Sequence, residues 1–270
     1  MQVQIIKRTT LAFLVSLSLA SSVFAADIQV ITSGAFAEAL KDLVPEYEKQ
    51  ASNRVIISYG SSMGAAPDSI PSRLAKGEQF DVLILAAPAL DGFIKKGVVR
   101  SGTRVDLVAS VMGAVVRTGA PKPDISTMNG LKSALLNAQS VAYSASASGV
   151  YLSTELFPKM GISEQMNKTA RKIYSERVAS VVARGEADLG FQQVSELLPI
   201  PGVTFIGELP PEAQKTVLFS AGITSNTANL DASRDLITFL ASSRAAPMIE
   251  KAGLKPVLPV IPWSIQKHGQ

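Results

Sequence analysis

Serine recurs at every second position in Ser144-Ala145-Ser146-Ala147-Ser148, between the short apolar run Val141 to Tyr143 and a helical pattern starting near Val150. A strand-to-helix junction of this kind gathers hydroxyls and free backbone N–H groups at one point, where the helix dipole also favours negative charge. The chemistry is that of an anion receptor. The same order of strand, small hydroxylated turn and helix start recurs in Ile31-Thr32-Ser33-Gly34-Ala35-Phe36 and in Ile57-Ser58-Tyr59-Gly60-Ser61-Ser62-Met63-Gly64. One such turn does no more than cap its helix. Three of them on parallel strands share a single sheet edge, the carboxyl edge at which open α/β sheets bind ligands.

Composition narrows what that receptor can do. The chain has no cysteine, so thiol catalysis, disulfides and cysteine-held clusters are excluded. Its one histidine, His268, stands third from the C-terminus, which argues against a Ser-His-Asp triad or a histidine zinc site. No metal or organic cofactor is expected. Lys7 and Arg8, the apolar run Leu11 to Ala20 and then Val23-Phe24-Ala25 have the order of a secretory signal peptide, with cleavage after Ala25. The run is too short to span a bilayer, so an exported chain with no membrane contact after cleavage is expected. Without Lys7 and Arg8 there remain 24 basic against 22 acidic residues, and no basic stripe with interleaved aromatics, so nucleic acid is not a partner.

These residues need elements to position them. Strands are expected at Ile28 to Ile31, Val55 to Ser58, Val82 to Leu85, Val108 to Val116, Ser140 to Tyr143, Leu189 to Gln192, Val203 to Ile206 and Val217 to Thr224. Helical patterns cover Phe36 to Gln50, Ser69 to Lys76, Ala87 to Lys96, Leu131 to Asn137, Val150 to Met160, Ser175 to Arg184 and Ala232 to Lys251. The alternation predicts an α/β protein with parallel sheets covered on both faces. Breaks at Thr118-Gly119-Ala120-Pro121 and Leu209-Pro210-Pro211 adjoin the two longest strands, which become candidates for crossovers between two lobes. The expected division is 1–25 signal peptide, 26–108 with 219–270 as lobe 1, and 109–218 as an inserted lobe 2.

In that order the pieces resemble the periplasmic solute-binding proteins of the molybdate-binding (ModA) family. The resemblance covers nearly the whole chain after residue 25. It rests on Thr32-Ser33-Gly34-Ala35-Phe36, Tyr59-Gly60-Ser61-Ser62, Gly77-Glu78-Gln79-Phe80-Asp81-Val82, Ser148-Gly149-Val150-Tyr151 and Arg184-Gly185-Glu186-Ala187-Asp188-Leu189-Gly190-Phe191. It implies a two-lobe periplasmic binding protein fold of type 2, with the ligand cleft between the lobes. The family's molybdate ligand pattern is broken at Ala35, Ser148 and Gln193. The segments Met63 to Arg73, Tyr143-Ser144, Ser153 to Pro158 and Gln192 to Pro199 instead resemble a subgroup that includes aconitate isomerase, which interconverts trans-aconitate and cis-aconitate.

Two functions follow from the resemblance. An isomerase for a small anionic tricarboxylate must take a proton from beside a carboxylate, hold the dienolate-like anion and return the proton at the other end. Ser33, Ser61, Ser62 and Ser148, with neighbouring backbone N–H groups, are the expected anion donors. Arg73 is the expected cationic anchor, ahead of Lys76 and Arg177. Tyr59, Tyr143 and Tyr151 are the expected proton carriers, provided that nearby cations lower their pKa. Gln192 and Gln193, at a strand end, are expected to orient the ligand. The second function is binding alone, with delivery of an organic oxyanion, molybdate or tungstate to an ABC permease through the same hydroxyls and the same lobe closure.

Overall fold

The computed structural model describes residues 26–263, so the expected signal peptide and His268 lie outside the described residues. Eleven strands are found among them: β1 (Asp27–Thr32), β2 (Arg54–Tyr59), β3 (Val82–Ala86), β4 (Val105–Ser110), β5 (Met112–Arg117), β6 (Val141–Ser144), β7 (Ala170–Ile173), β8 (Leu189–Gln193), β9 (Val203–Glu208), β10 (Val217–Ile223) and β11 (Lys255–Pro256). They form a six-stranded sheet ordered β11-β4-β10-β3-β1-β2 and a five-stranded sheet ordered β7-β6-β8-β5-β9. Each sheet with its helices makes one lobe of a two-lobed α/β molecule.

Both faces of the sheet interiors are covered, which is why the inner strands β3, β5 and β8 are buried with little alternation. In β3, Val82, Ile84 and Ala86 join a core with Phe36, Leu40 and Leu43 of the helix Gly34–Glu48. Leu83 and Leu85 point the other way, to Leu90 and Phe93 of the helix Ala87–Lys95. In the second sheet, Ala114 and Val116 face a core with Leu131 and Phe157, while Val115 faces Val178, Val181 and Val182.

The sheets are mixed rather than parallel throughout. β1, β2 and β3 run parallel, and so do β6, β7 and β8, but β10 is antiparallel to β3 and β5 is antiparallel to β8. The cause is the double passage between lobes. A strand arriving from the other lobe enters at the edge where the parallel strands end, and must run against them. The long apolar run 108–116 accordingly breaks at Val111, where β4 closes one sheet and β5 opens the other. Gln214 ties the two passages together: its Oε1 accepts the Met112 N–H at 2.8 Å, and its Nε2 donates to the Met112 carbonyl at 2.9 Å and the Leu209 carbonyl at 3.4 Å.

Other differences have local causes. The helix expected over Ala232 to Lys251 is two helices, Leu230–Leu240 and Ala246–Lys251, because Pro247 fits only the opening turn of a helix. The helix after the alternating serines runs from Ala147 to Met160, with a π-helical stretch at Leu152–Leu156.

Candidate functional site

The carboxyl ends of β1, β2, β6, β7 and β8 face one another across a cleft of about 390 Å³. One wall carries Ser33, Gly34, Glu38, Tyr59, Ser61 and Asp68; the opposite wall carries Ser144 to Ser148, Tyr174 to Arg177, Gln192, Gln193 and Glu196. A hollow of about 730 Å³ beside Arg117, Asp124 and Asp188 is larger, but its acids hold the backbone. Asp188 accepts the N–H groups of Gln139 and Ser140 at 3.0 and 3.1 Å, and Asp124 accepts that of Ser126 at 2.9 Å.

The cleft, in contrast, holds unspent donors. Ser33 Oγ and Gln193 Nε2 are buried without a hydrogen-bond partner, an expensive arrangement unless a ligand completes it. Ser33 stands directly before the 15-residue helix Gly34–Glu48, whose first N–H groups open toward the same space. Ser148 is buried and shares a 2.9 Å hydrogen bond with Ser144, while Ser61 donates to the Met63 carbonyl at 2.8 Å. Gly149 makes the turn feasible: a Cβ there would lie 1.6 Å from the Ser144 carbonyl oxygen.

Of the residues singled out in the sequence, Ser33, Tyr59, Ser61, Ser148, Gln192 and Gln193 meet in this cleft, and Ser62, Arg73, Tyr143 and Tyr151 do not line it. Ser62 is buried, and its Oγ accepts the Ala86 N–H at 3.0 Å. Arg73 is fully engaged elsewhere. Its Nε and NH2 donate to Glu78 at 2.8 and 2.6 Å, its NH1 donates to the Tyr59 carbonyl at 3.0 Å, and its guanidinium covers the Phe80 ring. Lys76 donates to the Pro67 carbonyl at 3.0 Å. Tyr143 packs edge-on against Phe157, and Tyr151 donates its hydroxyl to the Ala213 carbonyl at 3.0 Å. Burial raises the pKa of both tyrosines, opposite to what a proton carrier needs. Tyr59 is half-exposed at the cleft mouth, on the wall opposite the exposed Tyr174.

Three charged groups escaped the sequence reading or were ranked low in it. Arg177 is the cation of this cleft. It crosses from one lobe to the other, donating to Glu38 at 2.7 Å, and reaches the Glu196 backbone carbonyl at 3.5 Å. Glu196 sits at the cleft floor in the short helix Val194–Leu197, where Gln192 Nε2 donates to its Oε1 at 2.8 Å. Burial raises the Glu196 carboxyl to about 7, against the smaller lowering effects of Arg177 and of the Gln192 bond.

Two α/β lobes, two crossings of the chain, and a cleft lined by hydroxyls, an orphaned amide, four carboxylates and one bridging arginine define a solute receptor with its site between the lobes. Residues 28–255 match the family of bacterial extracellular solute-binding proteins, and the chain belongs to that family. It is 46% identical to an aconitate isomerase from Pseudomonas sp over 230 residues, which cover 85% of this chain and 88% of that protein. It is 24% identical over 241 residues to the molybdate-binding protein ModA of Azotobacter vinelandii, covering 87% of this chain and 92% of that one. The solved periplasmic molybdate-binding protein of Azotobacter vinelandii superposes with a TM-score of 0.68 at 21% identity, over 86% of this chain and all of that one. The two-lobe fold inferred from sequence is thereby established.

Proposed function

We propose that this chain is a periplasmic isomerase that interconverts trans-aconitate and cis-aconitate in the cleft between its lobes. The observation that carries this reading is the 46% identity to an aconitate isomerase along 85% of the chain. The cleft supports it chemically. Moving the double bond of a propene tricarboxylate needs anchors for several carboxylates and a donor-rich surface for the anion formed on proton loss. Ser33, Gln193, Ser148 and the start of the helix Gly34–Glu48 provide neutral donors, and Arg177 provides the charged one by exchanging Glu38 for a substrate carboxylate. The periplasmic location rests on the signal-like order of residues 1–25 and on the extracellular family.

The test is to incubate the mature protein with trans-aconitate in deuterated water and follow the solution by proton NMR. Appearance of cis-aconitate carrying solvent deuterium is the expected result. A second reading, capture of an anion for an ABC permease without chemistry, is favoured by the solute-binding family itself and by the molybdate-binding relatives. Tight binding without turnover or deuterium incorporation is the outcome that selects it.

A further inference from the structure

The isomerase reading requires a group that takes a proton from carbon and gives one back; the tyrosines Tyr143 and Tyr151 are held away from the cleft, and Tyr59 stands half-exposed at its mouth. The geometry points to Glu196: we propose that its carboxylate is the catalytic residue that carries the proton from one terminal carbon of the substrate to the other. This rests on the isomerase reading above.

Three observations support it. First, Glu196 lies on the cleft floor, facing the opening turn of the helix Gly34–Glu48 from the opposite lobe. A Cβ on Gly34 would fall 2.0 Å from Glu196 Oε1, so the glycine lets the carboxylate lie against the helix start in this orientation. Second, its orientation is fixed by Gln192. The Gln192 Oε1 accepts the Val178 N–H at 2.9 Å, which obliges the Nε2 to face Glu196 and donate at 2.8 Å. Gln192 is thus a positioning residue, and its bond occupies only Oε1. Third, two other acids of the cleft are engaged elsewhere: Glu176 accepts twice from Arg184 at 2.9 and 3.0 Å, and the exposed Asp68 accepts from Ser175 at 3.3 Å. Glu38, paired with Arg177 at 2.7 Å until substrate takes its place, has no second partner to fix its orientation as Gln192 fixes that of Glu196. Burial holds Glu196 near neutrality, which makes it a stronger base than an exposed carboxylate and still able to return the proton.

The step balances without any co-reactant. The carboxylate takes a methylene proton; the C–H electron pair forms a new C=C bond to the middle carbon, and the old C=C pair moves to the former vinyl carbon. The three-carbon anion is spread over the attached carboxylates, under the donors of Ser33 and Gln193. The Glu196 O–H exchanges its proton with solvent while the anion is held, and then delivers a proton, a deuteron in deuterated water, to the former vinyl carbon. No electron is gained or lost overall.

The experiment compares wild type, E196Q, E196D and Q192L for conversion of trans-aconitate, solvent deuterium uptake and calorimetric affinity for trans-aconitate. E196Q is expected to lose about 10³-fold in both conversion and deuterium uptake while keeping affinity within a few fold. E196D is expected to recover part of the rate. Wild-type kcat/KM is expected to fall as pH drops through about 7, and in Q192L this limb is expected to move to higher pH, because the bond lost there favours the ionised carboxylate. Arg177 and Glu38 face the same space, so the profile is also recorded in R177A, where loss of the cation is expected to move the limb in the same direction. Should E196Q be poorly folded, the Q192L profile decides: an unmoved limb overturns the proposal. Wild-type activity matched by E196Q, with full deuterium uptake, overturns the role of Glu196 alone. An inactive wild type overturns the isomerase reading and this proposal with it.

Discussion

The two walls of the cleft are built by the same device, parallel strands ending at small turns, yet they carry different chemistry. The wall of the first lobe is mostly neutral: Ser33, Gly34, Gly60 and Ser61, backed by a 15-residue helix, with Glu38 committed across the cleft to Arg177. The wall of the second lobe brings the groups that can change charge or hold it, Glu196 and Arg177, together with the amides of Gln192 and Gln193. The comparison teaches a division of labour. On the proposal above, hydroxyls and helix ends dock the anion, and the second wall adds the groups that react with it.

That division can be broken experimentally, beginning where the largest effect is expected. Gly34→Ala pushes a methyl into the Glu196 carboxylate, a flexible group that can turn away, so the fold should survive while kcat drops by about 10²-fold. A G34A enzyme with wild-type kcat, measured with trans-aconitate, would show that the two walls do not meet at Glu196. Arg177→Ala removes the cation of the second wall, and KM for trans-aconitate should rise by about 10- to 100-fold with a smaller change in kcat.

The next effect is on stability. Burial raises the folded-state pKa of Glu196 to about 7, above the ordinary carboxyl value that the unfolded chain shows, so the folded protein binds this proton more tightly. The stability that follows is complete below the unfolded value and is lost as pH rises through about 7. E196Q should therefore melt higher than wild type above pH 7, by roughly 3 °C, with the gap closing toward pH 5. Calorimetric scans at both pH values check the sign. Smallest of all, Arg73→Ala should leave KM unchanged and cost only thermal stability, because Arg73 braces Glu78, the Tyr59 carbonyl and Phe80 outside the cleft.

How much of this could be read from the residues follows from the range of each interaction. The hydroxylated turns after β1, β2 and β6 were legible because each is a local strand-to-helix junction, and the sheet edge does the rest. The lobed fold was legible from the resemblance and from the two long apolar runs. The polarity of the sheets was not, because a continuous apolar run such as 108–116 hides the break at Val111 where the chain changes lobes. β7 was missed for a different reason: Ala170–Ile173 is a short, partly charged edge strand with little apolar signal. Among the site residues, the contacts that hold some of them off the cleft lining, and Arg177 within it, are long-range. Tyr151 is tied to a carbonyl 62 residues away, Ser62 to an N–H 24 residues away, and the Arg177 pairing with Glu38 spans 139 residues. Arg73 is the exception, since its partner Glu78 lies only five residues on, and the local pairing of opposite charges was there to be weighed. Glu196 drew no attention because its environment, rather than its neighbours in sequence, makes it unusual.

One tricarboxylate is expected to lie between the walls, its carboxylates on the first wall and on Arg177, its reacting carbons over Glu196. A crystal structure of the mature E196Q protein with trans-aconitate tests this most directly. The account predicts the substrate methylene carbon about 3–3.5 Å from the side chain at position 196 and one substrate carboxylate on Arg177 in place of Glu38. A ligand held by the serine turns alone, with its methylene turned away from position 196, would contradict it.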